Sequence, residues 1–148
     1  EEYLDYVHDI PLHNYLTVNT RLDAVLASIP LIKVVFTNSS REHATRVIDL
    51  LGIRHHFDRI IDVRDVGYES KPQPSAYQRA CDLLGALPEE CVMVDDNTRN
   101  LRPAKALGMT TVLVLDGTAP SPEGADKSAD HIISCVEEIG KVMDEIHE

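Results

Sequence analysis

The sequence predicts an α/β fold in which a parallel β-sheet is flanked by helices. Short apolar runs rich in β-branched residues alternate along the chain with amphipathic stretches of helical spacing. Units of strand, helix and strand at this spacing require crossover connections, which produce parallel sheets with helices on both faces. The chain has 148 residues, of which 43% are hydrophobic, so it can bury the core of one domain.

Five apolar runs are expected to form the strands. The first, Leu31–Phe36, is continuous, as is typical of a strand buried on both faces. The others follow at Arg59–Val63, Cys91–Val94, Thr110–Leu115 and His131–Cys135. We expect the last of them to be a short edge strand.

The first two helices are delimited by recognisable caps. Ser39 and Glu42 have the spacing of a capping box, and Gly52 is placed to end the helix that follows. Pro74 marks the first turn of the next helix, which is expected to end before Gly85.

The later part of the chain is less regular. Asn97 or Thr98 is expected to cap a helix that ends before Gly108, and this requires Pro103 to fall in its first turn. A loop rich in Pro, Gly and Ser is expected at Asp116–Ser128. Residues 136–147 are expected to form a closing helix.

Composition argues against several classes of partner. The net charge is −11 and the pI is about 4.9, which disfavours binding to nucleic acids or to anionic membrane surfaces. The sequence contains no signal-peptide pattern, so a cytoplasmic location is expected. Cys81, Cys91 and Cys135 are widely spaced and are interpreted as buried thiols in a reducing compartment.

Polar residues follow three of the predicted strands. Thr37 and Asn38 come directly after the first strand, Lys71 follows the second across a loop, and Asp95 and Asp96 follow the third. In open α/β sheets ligands bind at the carboxyl ends of the strands, so these five residues are expected to share one rim. The hydroxyl, the amide and the lysine suit a phosphoryl group, and the paired acids suit Mg²⁺.

Three segments resemble motifs of the haloacid dehalogenase-like (HAD) hydrolase superfamily. "VVFTNSS" is similar to its second motif, "SKPQPSAY" to its third and "VMVDDNTRNLRPAKALGMTTV" to its fourth. The resemblance implies a Rossmann-like core, with Thr37 as a phosphate-binding hydroxyl, Lys71 as the lysine of the site, Asp95 and Asp96 as the acids on the Mg²⁺ side, and Asn100 in the next turn. The segment "YVHDIPLHNYLTVNTRLDAVLASIP" resembles the pyrimidine 5′-nucleotidase branch of the superfamily.

The first motif of the superfamily, D-x-D-x-[TV], has no match in this sequence. That motif supplies the aspartate nucleophile on a strand in the middle of the sheet. We therefore expect residues 1–16 to be the end of a cap and the linker into the core, and residues 17–148 to be a partial core without its first strand. A missing strand would leave a gap that a second chain could fill, so an oligomer is one expectation.

The resemblance implies a Mg²⁺-dependent phosphomonoester hydrolase that acts on a small phosphorylated substrate such as a nucleoside monophosphate. Lys71, Thr37 and Asp96 would take part in the reaction, an aspartyl-phosphate would form, and no turnover is expected from this segment alone. A non-catalytic HAD-like module that binds phosphate or a protein partner is the alternative. A receiver-type phospho-switch is a remote one, because a receiver has its acid pair first and here the hydroxyl comes first.

One further pair of residues consists of two histidines, a residue type that often binds metals. His55 and His56 are adjacent and follow a predicted helix, where cations interact favourably with the helix dipole. No partner at a zinc-binding spacing is evident, so the pair is interpreted as structural.

Overall fold

The computed structural model describes residues 17–115 and 125–146. The chain divides into two compact units, Glu1–Tyr68 and Glu69–Glu148, each of which is described by itself. The segment 1–16 assigned to the cap and linker, and most of the loop predicted at Asp116–Ser128, lie outside the described residues.

The first unit contains a two-stranded parallel sheet. In this sheet Val34 lies opposite Arg59 and Phe36 lies opposite Ile61. The described elements of the unit, in chain order, are α1 (Thr20–Ser28), β1 (Val34–Phe36), α2 (Arg41–Leu50), a 3₁₀ turn (Arg54–His56) and β2 (Arg59–Ile61).

Strand β1 is shorter and less buried than the sequence indicates. It begins at Val34, and every residue of the strand is only partly buried. Leu31 and Ile32, predicted to belong to it, are exposed. The reason lies in Lys33, whose ammonium donates hydrogen bonds to the carbonyls of Ile29 and Leu31 and so holds a turn just before the strand.

Helix α2 starts one residue later than the predicted capping box requires. Its N-cap is Ser40, whose buried hydroxyl accepts a hydrogen bond from the His43 N–H at 3.2 Å. The Ser39 hydroxyl instead lies 2.8 Å from the Thr37 hydroxyl, whose oxygen also accepts from the Ser39 N–H at 3.0 Å. The predicted end of the helix is confirmed, since Gly52 follows the C-cap with a φ of +75°.

The second unit contains a three-stranded parallel sheet in the order β3-β4-β5, in which β5 is an edge strand as predicted. Its described elements are α3 (Pro74–Leu84), a 3₁₀ turn (Pro88–Glu90), β3 (Val92–Asp95), α4 (Thr98–Leu107), β4 (Thr110–Val114), α5 (Ala125–Ser128), β5 (His131–Ile133), a second 3₁₀ turn (Val136–Glu138) and α6 (Ile139–Ile146).

Two predictions about this unit need correction. Residues 125–128, expected to be loop, form the short helix α5. The closing helix begins at Ile139 rather than at residue 136, because the Glu138 N–H donates to the carbonyl of Cys135 and winds the preceding residues into a 3₁₀ turn.

Pro103 lies deeper in its helix than expected. Helix α4 starts at Thr98, so Pro103 is its sixth residue and falls beyond the first turn. A proline there removes one main-chain hydrogen bond and strains the helix, at a cost of about 3 kcal/mol. Leu101 and Ala104, on either side of it, are completely buried, and their burial offsets a comparable free energy.

The cysteines are only partly as predicted. All three are free thiols, but only Cys81 is buried, whereas Cys91 and Cys135 are half-buried. Burial is the main cause that raises the pKa of the Cys81 thiol to about 11, and the neighbouring Cys91 adds to the effect. Cys81 is therefore an inert core thiol.

The described residues include no helix that is both long and apolar enough to cross a lipid bilayer. This finding agrees with the charge and composition of the chain, which carries no apolar run of membrane-spanning length.

Candidate active site

The two adjacent acids lie where a strand gives way to a helix. Strand β3 ends at Asp95, which lies opposite Leu113 in the register with β4. Helix α4 begins three residues later, and its N-cap Asn97 accepts a hydrogen bond from the Arg99 N–H at 2.9 Å. The short connection thus places Asp95 and Asp96 at the carboxyl end of the sheet, in front of a helix N-terminus.

Asp95 is the centre of a hydrogen-bonded cluster. The Lys71 ammonium donates to its Oδ2 at 3.1 Å, and the Asn97 N–H donates to its Oδ1 at 2.9 Å. The side-chain amide of Asn100 lies 3.3 Å from both carboxylate oxygens. The Lys71 and Asp95 side chains are each only 9% exposed, so their charges form a nearly buried ion pair.

Lys71 is held by the start of helix α3. The Gln73 N–H donates to the Ser70 carbonyl at 3.0 Å, which closes a turn around the lysine, and Pro74 then opens the helix. The Lys71–Pro72 peptide bond is cis. This turn places Lys71 just before α3, and from there its ammonium reaches the carboxylate of Asp95.

Tyr77 contacts the cluster through Asn100, and the sequence did not single it out as a site residue. It is completely buried, and its hydroxyl donates to the main-chain carbonyl of Asn100 at 2.5 Å. Burial raises the pKa of its hydroxyl, and the negative charge of Asp95 acts in the same direction. In the sequence Tyr77 belongs to an apolar stripe of α3, which gives no sign of its polar contact.

Asp96 differs from Asp95 in its surroundings. Although Asp96 is exposed, its pKa is raised, first because partial desolvation disfavours the charged carboxylate and second because Asp95 lies beside it. Among the described residues of this unit, no third acid, histidine or cysteine joins the two acids as a metal-binding group. Two carboxylates whose joint ionisation is disfavoured form an oxygen-rich donor set that fits a divalent cation such as Mg²⁺.

Thr37 and Asn38 belong to the first unit. The Thr37 N–H donates to the Ile61 carbonyl at 3.0 Å and so extends the pairing of β1 with β2. Its hydroxyl lies 2.8 Å from the Ser39 hydroxyl, and Asn38 is exposed. Thr37 is thus held in a tight turn at the carboxyl end of β1.

Two of the main-chain N–H groups that start helix α2 already have acceptors. The Arg41 N–H donates to the carboxylate of Asp62 at 3.0 Å, and the His43 N–H donates to Ser40. Asp62 is only 2% exposed and also accepts from the N–H groups of Arg64 and Asp65. Asp62 is therefore a structural acid that fixes the loop after β2.

The structure brings together Lys71, Asp95 and Asn100, with Asp96 adjacent to them. That all of the predicted residues, Thr37 and Asn38 included, converge on one rim stays a prediction. The structure adds two contacts that the sequence did not indicate. The Asn97 N–H donates to Asp95, and the Tyr77 hydroxyl donates to the carbonyl of Asn100.

Parallel strands flanked by helices, with polar side chains at the carboxyl end of β3, define a Rossmann-like α/β protein. Residues 4–108 match a family model described as haloacid dehalogenase-like hydrolase. The chain therefore belongs to the haloacid dehalogenase-like hydrolase family, as its motifs predicted.

A curated relative agrees with this assignment, and solved structures share the fold. The chain is 33% identical over 109 residues to a phosphoglycolate phosphatase of Chromobacterium violaceum, an alignment that covers 73% of this chain and 49% of the relative. It superposes with a TM-score of 0.74 on an L-2-haloacid dehalogenase of Xanthobacter autotrophicus, at 22% identity, covering 89% of this chain and 63% of the other. A HAD family hydrolase of Deinococcus radiodurans with bound phosphate and sodium is 27% identical, with a TM-score of 0.67 and coverage of 86% and 58%.

The chain spans half or less of the length of the curated relatives that it matches. The fraction is 49% for the phosphoglycolate phosphatase of C. violaceum and 11% for a bifunctional epoxide hydrolase 2 of Rattus norvegicus. The family and the hydrolase fold are established by these matches, whereas the substrate and the activity of the whole protein are matters for a proposal.

Proposed function

We propose that the intact protein is a Mg²⁺-dependent phosphomonoester hydrolase that works through an aspartyl-phosphate. The observation that carries the proposal is the cluster in which Lys71 and Asn100 hold the nearly buried carboxylate of Asp95 beside Asp96. A cation and two acids at the carboxyl end of a parallel strand match the needs of phosphoryl transfer, in which negative charge must be bound and balanced.

The names of two relatives support a phosphorylated substrate. One is a phosphoglycolate phosphatase, and the HAD family hydrolase of D. radiodurans carries bound phosphate. The resemblance of the N-terminal segment to pyrimidine 5′-nucleotidases makes nucleoside 5′-monophosphates a second substrate class to test. We propose a small phosphate monoester, and we rank neither class above the other.

Each residue of the site has a proposed role. Asp95 and Asp96 would hold Mg²⁺, which supplies positive charge to the phosphoryl oxygens when bound. Lys71 would orient a carboxylate nucleophile and offset its charge. Thr37 and Asn38 would donate hydrogen bonds to the phosphate.

The covalent step needs a carboxylate that the sequence does not identify. An aspartate oxygen attacks phosphorus, the alcohol leaves with a proton, and water then cleaves the acyl phosphate to return the free carboxylate and inorganic phosphate. No D-x-D-x-[TV] motif occurs among the 148 residues, so we propose that the nucleophile lies outside them. Asp96 would assist the proton transfers.

The proposal is tested by phosphate release from the intact protein. The substrates are p-nitrophenyl phosphate, phosphoglycolate and the pyrimidine nucleoside 5′-monophosphates, each with Mg²⁺ and with EDTA. We expect activity that needs Mg²⁺ and that falls by at least about 100-fold in Asp95→Asn and Lys71→Met. Lys105→Met, which removes a partly exposed lysine of the same unit, is the control and should keep its activity.

Two outcomes would overturn the proposal. Activity that is the same in Asp95→Asn as in the wild type would remove the assigned site. An intact, folded protein that binds phosphate but releases none from any of these esters would favour the non-catalytic HAD-like module.

A further inference from the structure

A second group of metal-ligating side chains lies in the first unit. Asp23, on helix α1, meets His55 and His56 of the 3₁₀ turn Arg54–His56. The Nε2 atom of His56 lies 2.6 Å from Oδ1 of Asp23, and the Nε2 atom of His55 lies 3.1 Å from the same oxygen. The sequence showed no partner at a zinc-binding spacing, and in the structure the contacting acid lies 33 residues before His56.

The two imidazole rings converge although they belong to adjacent residues. Their centroids are 4.0 Å apart and their planes are inclined by 41°. One ligand atom from each of Asp23, His55 and His56 lies within 4.8 Å of the other two. Three side chains that direct two nitrogens and one carboxylate oxygen to a single point form a compact donor set.

The spacing of these atoms is close to that of a tetrahedral metal site. With bonds of about 2.1 Å to zinc, two ligands of a tetrahedron are about 3.4 Å apart. The two nitrogen–oxygen distances here are 2.6 and 3.1 Å. The ligand atoms would thus have to separate by less than about 1 Å for an ion to enter between them.

The three side chains differ in the fraction of their surface that is exposed to solvent. The His56 side chain is 10% exposed and is fixed by its surroundings, whereas His55 is 65% exposed and Asp23 is 43% exposed. One ligand is thus preorganised, and the side facing solvent leaves room for a water molecule as a fourth ligand.

We propose that Asp23, His55 and His56 bind one divalent transition-metal ion, with Zn²⁺ as the ion that fits best. Two imidazole nitrogens and one carboxylate oxygen are ligands that zinc prefers, while Mg²⁺ prefers oxygen ligands alone. An ion at this site joins helix α1 to the 3₁₀ turn that follows α2, and so cross-links two parts of the first unit that are distant in the sequence.

The proposal is tested by calorimetric titration of the intact protein with ZnCl₂ and, separately, with MgCl₂. We expect one Zn²⁺ per chain at the site and a rise in melting temperature of about 5 °C at a hundredfold excess over the dissociation constant. His55→Gln, His56→Gln and Asp23→Asn should each weaken zinc binding by at least about 100-fold. His55→Gln is decisive, because a residue with this exposure can be replaced without harm to folding.

The matched control is His131→Gln in the second unit. His131 also lies near an acid, 3.6 Å from Glu145, but forms no group of three ligands in the described residues. It should bind Zn²⁺ as the wild type does. Zinc affinity that is unchanged in His55→Gln and His56→Gln would overturn the proposal.

Free thiols are the competing zinc ligands in this chain, and Co²⁺ distinguishes them. Cobalt bound to nitrogen and oxygen ligands shows visible d–d bands without a strong thiolate charge-transfer band. A strong thiolate charge-transfer band in the near ultraviolet would assign the metal to cysteine and overturn the proposal. The proposed zinc site is independent of the proposed phosphatase activity. His55→Gln should therefore retain Mg²⁺-dependent phosphate release.

Discussion

The ion pair between Lys71 and Asp95 provides the sharpest test of how the candidate site is built. Replacing Lys71 by Met keeps the length and most of the volume of the side chain but removes its positive charge. The two charged atoms are 3.1 Å apart and both side chains are 9% exposed. The substitution therefore leaves a carboxylate in a nearly buried position without its cation.

The expected loss of stability follows from this geometry. Two unit charges at 3.1 Å attract each other by about 5 kcal/mol at an effective dielectric constant of about 20. Removing one partner of a buried pair typically costs about 3–5 kcal/mol. Asp95 would keep the hydrogen bonds from the Asn97 N–H and the Asn100 amide. We therefore expect the lower end of that range, a loss of about 3 kcal/mol.

The assay is urea unfolding followed by circular dichroism, with the free energy of unfolding extrapolated to water. Lys105→Met is the matched control, because the Lys105 ammonium lies 3.2 Å from Asp130 but both side chains are 37% exposed. An exposed pair contributes less than about 1 kcal/mol. Equal losses in the two variants would refute the claim that burial is what makes the Lys71 pair important.

Three other predictions follow from single contacts. Tyr77→Phe removes only the hydroxyl that donates to the Asn100 carbonyl and should lower the free energy of unfolding by about 1 kcal/mol in the same urea assay. Gly108→Ala places a Cβ on a residue with a φ of +109° and should cost about 1–2 kcal/mol, measured in the same way. Asp96→Asn should slightly stabilise the metal-free protein at pH 7. Partial desolvation and Asp95 raise the pKa of Asp96 in the folded state, so the folded protein loses stability as the pH rises through that pKa and the carboxylate ionises. The gain should vanish below about pH 3 in unfolding experiments across pH, and a gain that persists there would contradict this origin.

The part of the site that could be predicted is the part governed by sheet topology. Residues just after apolar strands must lie at the carboxyl end of a parallel sheet, and this rule alone placed Asp95 and Asp96 correctly. Lys71 was expected on the same rim because it follows the second predicted strand across a loop, and its contact with Asp95 agrees with that expectation. Caps and glycines gave the helix ends to within a residue or two.

The rest depends on contacts that no local pattern encodes. Asp23 and His56 are 33 residues apart and meet only because α1 packs near the turn after α2, so a search for closely spaced ligands misses them. Tyr77 fits the apolar periodicity of its helix, which hides the hydrogen bond made by its hydroxyl. The start of β1 was missed because the side chain of Lys33 bonds back to main-chain carbonyls, a choice that competes with the strand.

Asp95 and Asp96 are adjacent in the sequence but have different surroundings in the fold. Asp95 already accepts hydrogen bonds from Lys71, Asn97 and Asn100, so its charge is compensated by its own chain. The pKa of Asp96 is raised by partial desolvation and by Asp95, so this carboxylate gains more from a further positive charge. We expect Asp95 mainly to fix the lysine and the start of α4. In the proposed Mg²⁺ site, the affinity for the cation should then depend more strongly on Asp96. On this argument Asp95→Asn should damage both stability and activity, whereas Asp96→Asn should weaken Mg²⁺ binding while the fold becomes more stable.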